Sequence, residues 1–132
     1  MTVEEMNKKG EKILNIYLGL EKRMKILVEN IALDTGKSFH LKPLSDASGY
    51  SDYLEFDVTT GGFLTFGRKR IFRMKFKVST PDYRKFKIED LKVSNIKLTI
   101  FDDSIKEVLD KYYKNFVFTL KEKGLVEKNA YS

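Results

Sequence analysis

The chain has 132 residues, 42% of them hydrophobic, with ten Phe, seven Tyr, no Cys and a formal charge of +6. That length suits one domain with its own core, the hydrophobic share argues against disorder, and the lack of cysteine excludes disulfides, thiolate metal sites and cysteine nucleophiles. The charge is concentrated: Arg68 to Lys97 holds eleven Lys/Arg against three Asp/Glu, while the remainder holds fourteen bases and sixteen acids.

The first 33 residues read as one long helix. Ile13, Tyr17, Leu20, Met24, Leu27 and Ile31 follow each other at intervals of four and three, a seam with a period of about 3.5 residues. Leu14, Ile16, Ile26 and Val28 widen the apolar face beyond a strict seam, which favours packing on a sheet over a two-stranded coil. Gly10 and Gly19 interrupt the pattern, and Gly36 after Asp34-Thr35 is a stop.

Strands are expected next. Lys37 to Leu41 alternates around His40, and Pro43 to Ser51 has loop composition. Tyr53 to Thr59 puts Leu54, Phe56 and Val58 on one face and Tyr53, Glu55 and Asp57 on the other. A short strand is expected at Phe63 to Phe66, between turn signals at Gly61-Gly62 and Gly67. Ile71 to Val78 alternates most clearly. Phe72, Met74, Phe76 and Val78 face one way and Arg73, Lys75 and Lys77 the other, so a one-residue slip would bury three cations. Arg84 to Ile88 reads as a short edge strand. Leu91 to Phe101 reads as a long one whose phase breaks at Ser94-Asn95, the mark of a bulge.

Asp102-Asp103-Ser104 caps a second helix, in which Ile105, Val108, Leu109, Tyr112, Phe116 and Leu120 recur at helical spacing up to Gly124. Residues 125–132 read as a loose C-terminal tail. The expected fold class is α+β. A long N-terminal helix and a C-terminal helix pack on one face of a meander-like antiparallel sheet of about five strands, in a single domain spanning residues 1–132.

The functional signal is the basic sheet face within residues 68–97. Arg73, Lys75 and Lys77 project outward about 6.6 Å apart. Arg68, Lys69 and Arg70 extend the row at its turn, and Arg84, Lys85, Lys92 and Lys97 add to it on neighbouring segments. Such a ridge suits a nucleic-acid backbone or an acidic protein surface. Tyr53 and Tyr83 are the aromatics on hand for stacking, but no aromatic alternates along the basic face, unlike sheets that read bases. The competing account is local: if the strand bearing Glu55 and Asp57 neighbours the basic one, the charges pair across the sheet. A strand at 63–66 lying between them would leave the ridge unneutralised.

The catalytic inventory is thin. His40 is the only histidine and lies on a polar strand face, so no Ser-His-Asp set can be assembled around it. Gly62 and Gly67 are followed by Arg68-Lys69 and a strand, without the Lys-Ser/Thr and helix of a phosphate loop. Asp46 to Asp52 does not follow a calcium-loop pattern. No catalytic residue, metal or cofactor is expected. Pro81-Asp82 followed by Asp90-Leu91-Lys92 resembles the signature of the PD-(D/E)xK nuclease family over about a dozen residues. That resemblance would imply two carboxylates on Mg²⁺ and a lysine steadying the attacking water.

The leading expectation is a small non-enzymatic module that binds nucleic acid or a nucleoprotein through its basic sheet face. The alternative is a protein-binding inhibitor or regulator of a larger nucleic-acid-processing enzyme. In composition the chain resembles compact, Lys-rich accessory proteins of phages and other mobile elements. The first residues lack a basic and apolar leader pattern, and no apolar run approaches the ~18–20 residues that cross a bilayer. An intracellular, cytoplasmic protein without a membrane partner follows as an expectation. A homodimer through the N-terminal helix is expected if that helix overhangs the sheet.

Overall fold

A computed structural model describes residues 2–44, 53–60, 69–79 and 91–131. Its elements in chain order are α1 (Val3–Thr35), β1 (Phe39–Pro43), β2 (Tyr53–Thr60), β3 (Arg70–Ser79), β4 (Lys92–Ile100), a 3-10 turn (Asp103–Ile105), α2 (Lys106–Glu122) and β5 (Val126–Tyr131). The α+β class, the two helices and the five-stranded sheet agree with the sequence reading. The segments expected as strands at 63–66 and 84–88 lie outside the described residues.

Helix α1 begins where Thr2 accepts a hydrogen bond on its Oγ1 from the Glu5 N–H at 3.1 Å, with Glu4 and Glu5 in the first turn beside the positive end of the helix dipole. It ends at Gly36, whose φ of +69° suits glycine and whose N–H bonds the Ala32 carbonyl. At 33 residues it is about 50 Å long. Its seam is buried from Ile13 to Ile31, but the turns before Ile13 pass beyond the core, and Val3 is 75% exposed. Tyr17 stacks on Phe56 of β2 with ring centroids 5.6 Å apart, tying helix to sheet. Burial, helped by its hydrogen bond to Glu21, pushes the Tyr17 phenol up to about 12, so it stays protonated.

The sheet order is β1-β2-β3-β4-β5. The first four strands form the expected antiparallel meander. Registers of Leu54 with Phe76, Phe56 with Met74 and Val58 with Phe72 put the apolar alternates of β2 and β3 on the helix side. The β3–β4 register slips between Lys77 and Val78, opposite Ser94-Asn95, so the predicted bulge is present and keeps both Val93 and Ile96 in the core. α2 joins α1 through Leu109, Phe116 and Leu120. At one end of this contact, Asp34 on α1 accepts hydrogen bonds from Lys111 Nζ at 2.9 Å and Tyr112 Oη at 2.7 Å. The lysine bond first, then the tyrosine bond, holds the Asp34 carboxyl below its ordinary value.

Two expectations need correction. The sheet is mixed, because β5 pairs with β4 in parallel, Val93 opposite Val126. The tail is accordingly not loose: residues 126–131 form an edge strand, with Val126 only 2% exposed. Gly124, at φ +72°, turns the chain back after α2, and the Leu125 N–H bonds the Leu120 carbonyl at 3.0 Å. The Leu125 side chain then settles on Gly19 of α1, where an added Cβ would stand 2.7 Å from Leu125 Cδ2. Gly19 is thus the seat that admits Leu125, which packs against the core beside Val126.

Candidate functional site

The helices cover one face of the sheet, and cross-strand register defines what the other presents. Lys42 on β1 stands opposite Asp57 on β2, and Asp57 opposite Arg73 on β3, itself opposite Thr99 on β4. In the next row Glu55 faces Lys75, and Lys75 faces Lys97. Beyond it Tyr53 faces Lys77 and Lys77 faces Asn95, while Lys92 stands opposite Ser79. At the other end Arg70 stands opposite Thr59, itself opposite His40. Across β1–β4, seven Lys/Arg therefore share this face with Glu55 and Asp57 among the described residues, an excess of five positive charges on those strands.

β2 and β3 are direct neighbours, so part of the ridge is neutralised. Arg73 donates to Asp57 from Nε at 2.7 Å and from Nη2 at 3.2 Å. Asp57 is only 6% exposed and is the one buried charged residue among those described. The Arg73 proton is held more firmly than in water, chiefly by these hydrogen bonds. Lys75 Nζ lies 3.6 Å from Glu55 Oε1 and 4.1 Å from the centre of the Tyr53 ring. Lys69 leans to Asp102 at 3.5 Å. Asp102 is held below the ordinary carboxyl range first by the Ser104 hydroxyl and backbone N–H, and only then by Lys69. Arg70 lays its guanidinium 4.6 Å over the Phe101 ring.

Lys77, Lys92 and Lys97 differ from these. All three are exposed, and none makes an ion pair with a described residue. From strand geometry they form a zigzag with steps of about 8 Å. Arg68, Arg84 and Lys85, also expected on the basic face, lie outside the described residues. So do Tyr83, Asp82 and Asp90, which leaves the nuclease-like constellation represented by Lys92 alone. The sequence reading missed Lys42, which joins the face because β1 runs to Pro43 rather than stopping at Leu41. Carrying the His40 alternation one step further would have placed it.

The opposition of Lys75 and Lys97 has no stabilising purpose within the fold. Like charges directly across an antiparallel pair oppose folding, and β4 offers Asn95, Lys97 and Thr99 outward without a carboxylate. Replacing Lys97 with glutamate is therefore expected to raise stability by about 0.3–0.5 kcal/mol. Urea unfolding measures it, and a loss of stability would show that Lys97 already has a favourable partner.

No group of three or more acidic or histidine side chains among the described residues is placed to hold a metal ion. No helix among them is long and apolar enough to cross a membrane. The chain matches no family model, no curated protein and no solved structure.

Proposed function

We propose that the chain is a non-enzymatic binding module that lays its helix-free sheet face against nucleic acid or a nucleoprotein. The observation that carries this reading is the zigzag of Lys77, Lys92 and Lys97, which makes no ion pair with a described residue, set beside a like-charge pair that folding alone disfavours. The three lysines make the phosphate contacts, and Lys42 and Arg70 extend the field. Arg73 and Lys75 are engaged by carboxylates, so they shape the face more than they bind.

The test is binding of a fluorescent single-stranded oligonucleotide across a salt series. Contact with about three phosphates gives a log–log salt slope of about −2. The triple variant Lys77→Glu, Lys92→Glu, Lys97→Glu should abolish binding, whereas Lys75→Gln should weaken it by no more than about threefold. Absence of binding to either DNA or RNA at low salt, or a triple variant that binds normally, rejects the reading.

A second reading, a protein-binding regulator of a nucleic-acid-processing enzyme, draws on Leu14 and Leu18, exposed one turn apart on α1. A stoichiometric complex that survives nuclease treatment and is lost with Leu18→Glu would favour it. The overhanging first turns of α1, with Val3 and Met6 exposed, are the segment through which a homodimer would form.

A further inference from the structure

On the helical side of the molecule, away from the basic sheet face, α1 and α2 leave a groove between them. The two helices run antiparallel here. Asp34 meets Tyr112 at one end, and Gly19 meets Leu125, just past α2, at the other. Between these ends, Arg23, Ile26 and Asn30 from α1 face Asn115, Phe116 and Thr119 from α2. The empty space reaches about 390 Å³ only with its open mouth and adjoining solvent included, so the groove is a shallow furrow that covers one side of a small ligand and encloses none.

The chemistry of the lining is divided. Phe116 and Leu27 are buried and form an apolar floor, with Ile26 at the rim. Arg23 is half-buried in the wall and makes no ion pair or hydrogen bond with a described residue. An arginine beside an apolar floor, with no ion pair to a described carboxylate, retains a fork of donors that matches a carboxylate. The Thr119 hydroxyl shares the groove with it, and the amides of Asn30 and Asn115 supply further polar groups. Asp34, at the far end of the groove, is engaged by Lys111 and Tyr112.

We infer that this groove binds a small amphipathic carboxylate, with the acid group on Arg23 and the hydrocarbon or aromatic body over Phe116 and Ile26. The site is independent of the sheet face. An apolar body of a few carbons and one charged contact give an affinity of roughly millimolar order.

The full chain, labelled with ¹⁵N, is titrated with 3-phenylpropionate, with its neutral amide analogue and with inorganic phosphate, and backbone amide shifts are followed. Phenylpropionate is expected to give saturable shifts concentrated in residues 23–30 and 112–119. The neutral analogue and Arg23→Gln should each bind about tenfold more weakly, and Lys77→Glu should change nothing. Arg23→Lys, which keeps the charge and the stem but not the fork, should bind about threefold more weakly and serves if the glutamine variant fails to fold. The inference is overturned by no saturable shift in these segments up to about 20 mM. It is equally overturned if the amide analogue binds as tightly, if both Arg23 variants bind normally, or if phosphate alone matches the carboxylate.

Discussion

Replacing Phe56 with alanine is expected to lower the free energy of unfolding by about 3–5 kcal/mol. Phe56 is completely buried in the middle of β2. Its ring stacks on Tyr17 of α1 at 5.6 Å and meets Phe76 of β3 edge-on at 6.0 Å, so one side chain joins the long helix to two strands. Truncation removes the transfer energy of the ring and leaves a cavity bounded by a helix and a sheet, neither of which can collapse freely. Small domains have only about 5–15 kcal/mol in total, so the variant should stand near the edge of folding. Urea unfolding reads the effect as a lower midpoint at unchanged slope, with Phe56→Leu falling by much less. A loss under about 1.5 kcal/mol would mean the ring is not the hinge of this core.

Asp57→Ala should cost about 2–3 kcal/mol, more than a surface charge normally would. The carboxylate is buried and accepts two hydrogen bonds from Arg73, whose side chain is itself only 31% exposed. Removing it leaves a guanidinium partly dehydrated and unpaired. Replacing both partners together, as Asp57→Val with Arg73→Thr, should recover most of the loss, because the remaining penalty of an orphaned charge disappears. The single variants Asp57→Val and Arg73→Thr and the double variant form a cycle measured by urea unfolding. Additive losses would show that the pair is not energetically coupled. The Arg73 variant alone should not greatly change affinity for an oligonucleotide, since Arg73 is already satisfied from within the sheet.

Periodic elements were legible in the sequence because their signal is local. The α1 seam, the alternation of β3, the Ser94-Asn95 bulge, the Asp102 cap and the Gly36 and Gly124 stops each depend on neighbours a few residues away. The β5 strand was not legible, because what holds it is Gly19, more than a hundred residues upstream, together with a single buried valine. The candidate site was half legible. That residues 68–97 carry the basic face can be read from composition, and so can the presence of acids on β2. Which cations the acids neutralise depends on the partner strand and its register, and these pair Asp57 with Arg73 and Glu55 with Lys75 while leaving Lys77 and Lys97 to Asn95 and Lys75. The three most prominent cations of the sequence pattern thus divide into two that are neutralised and one that pairs with no described acid. The Arg23 groove left no trace in the sequence reading, since residues from two helices distant along the chain create it.

The parallel ladder between β4 and β5 cannot zip outward from a hairpin turn. Its strands meet only after α2 has been wound and laid across the gap, whereas each earlier pairing joins strands that are successive among the described elements. The meander can therefore assemble first, with the free rim of β4 exposed to any other extended segment until β5 arrives. Closure of that rim falls to β5, whose docking adds the parallel ladder to a meander already formed.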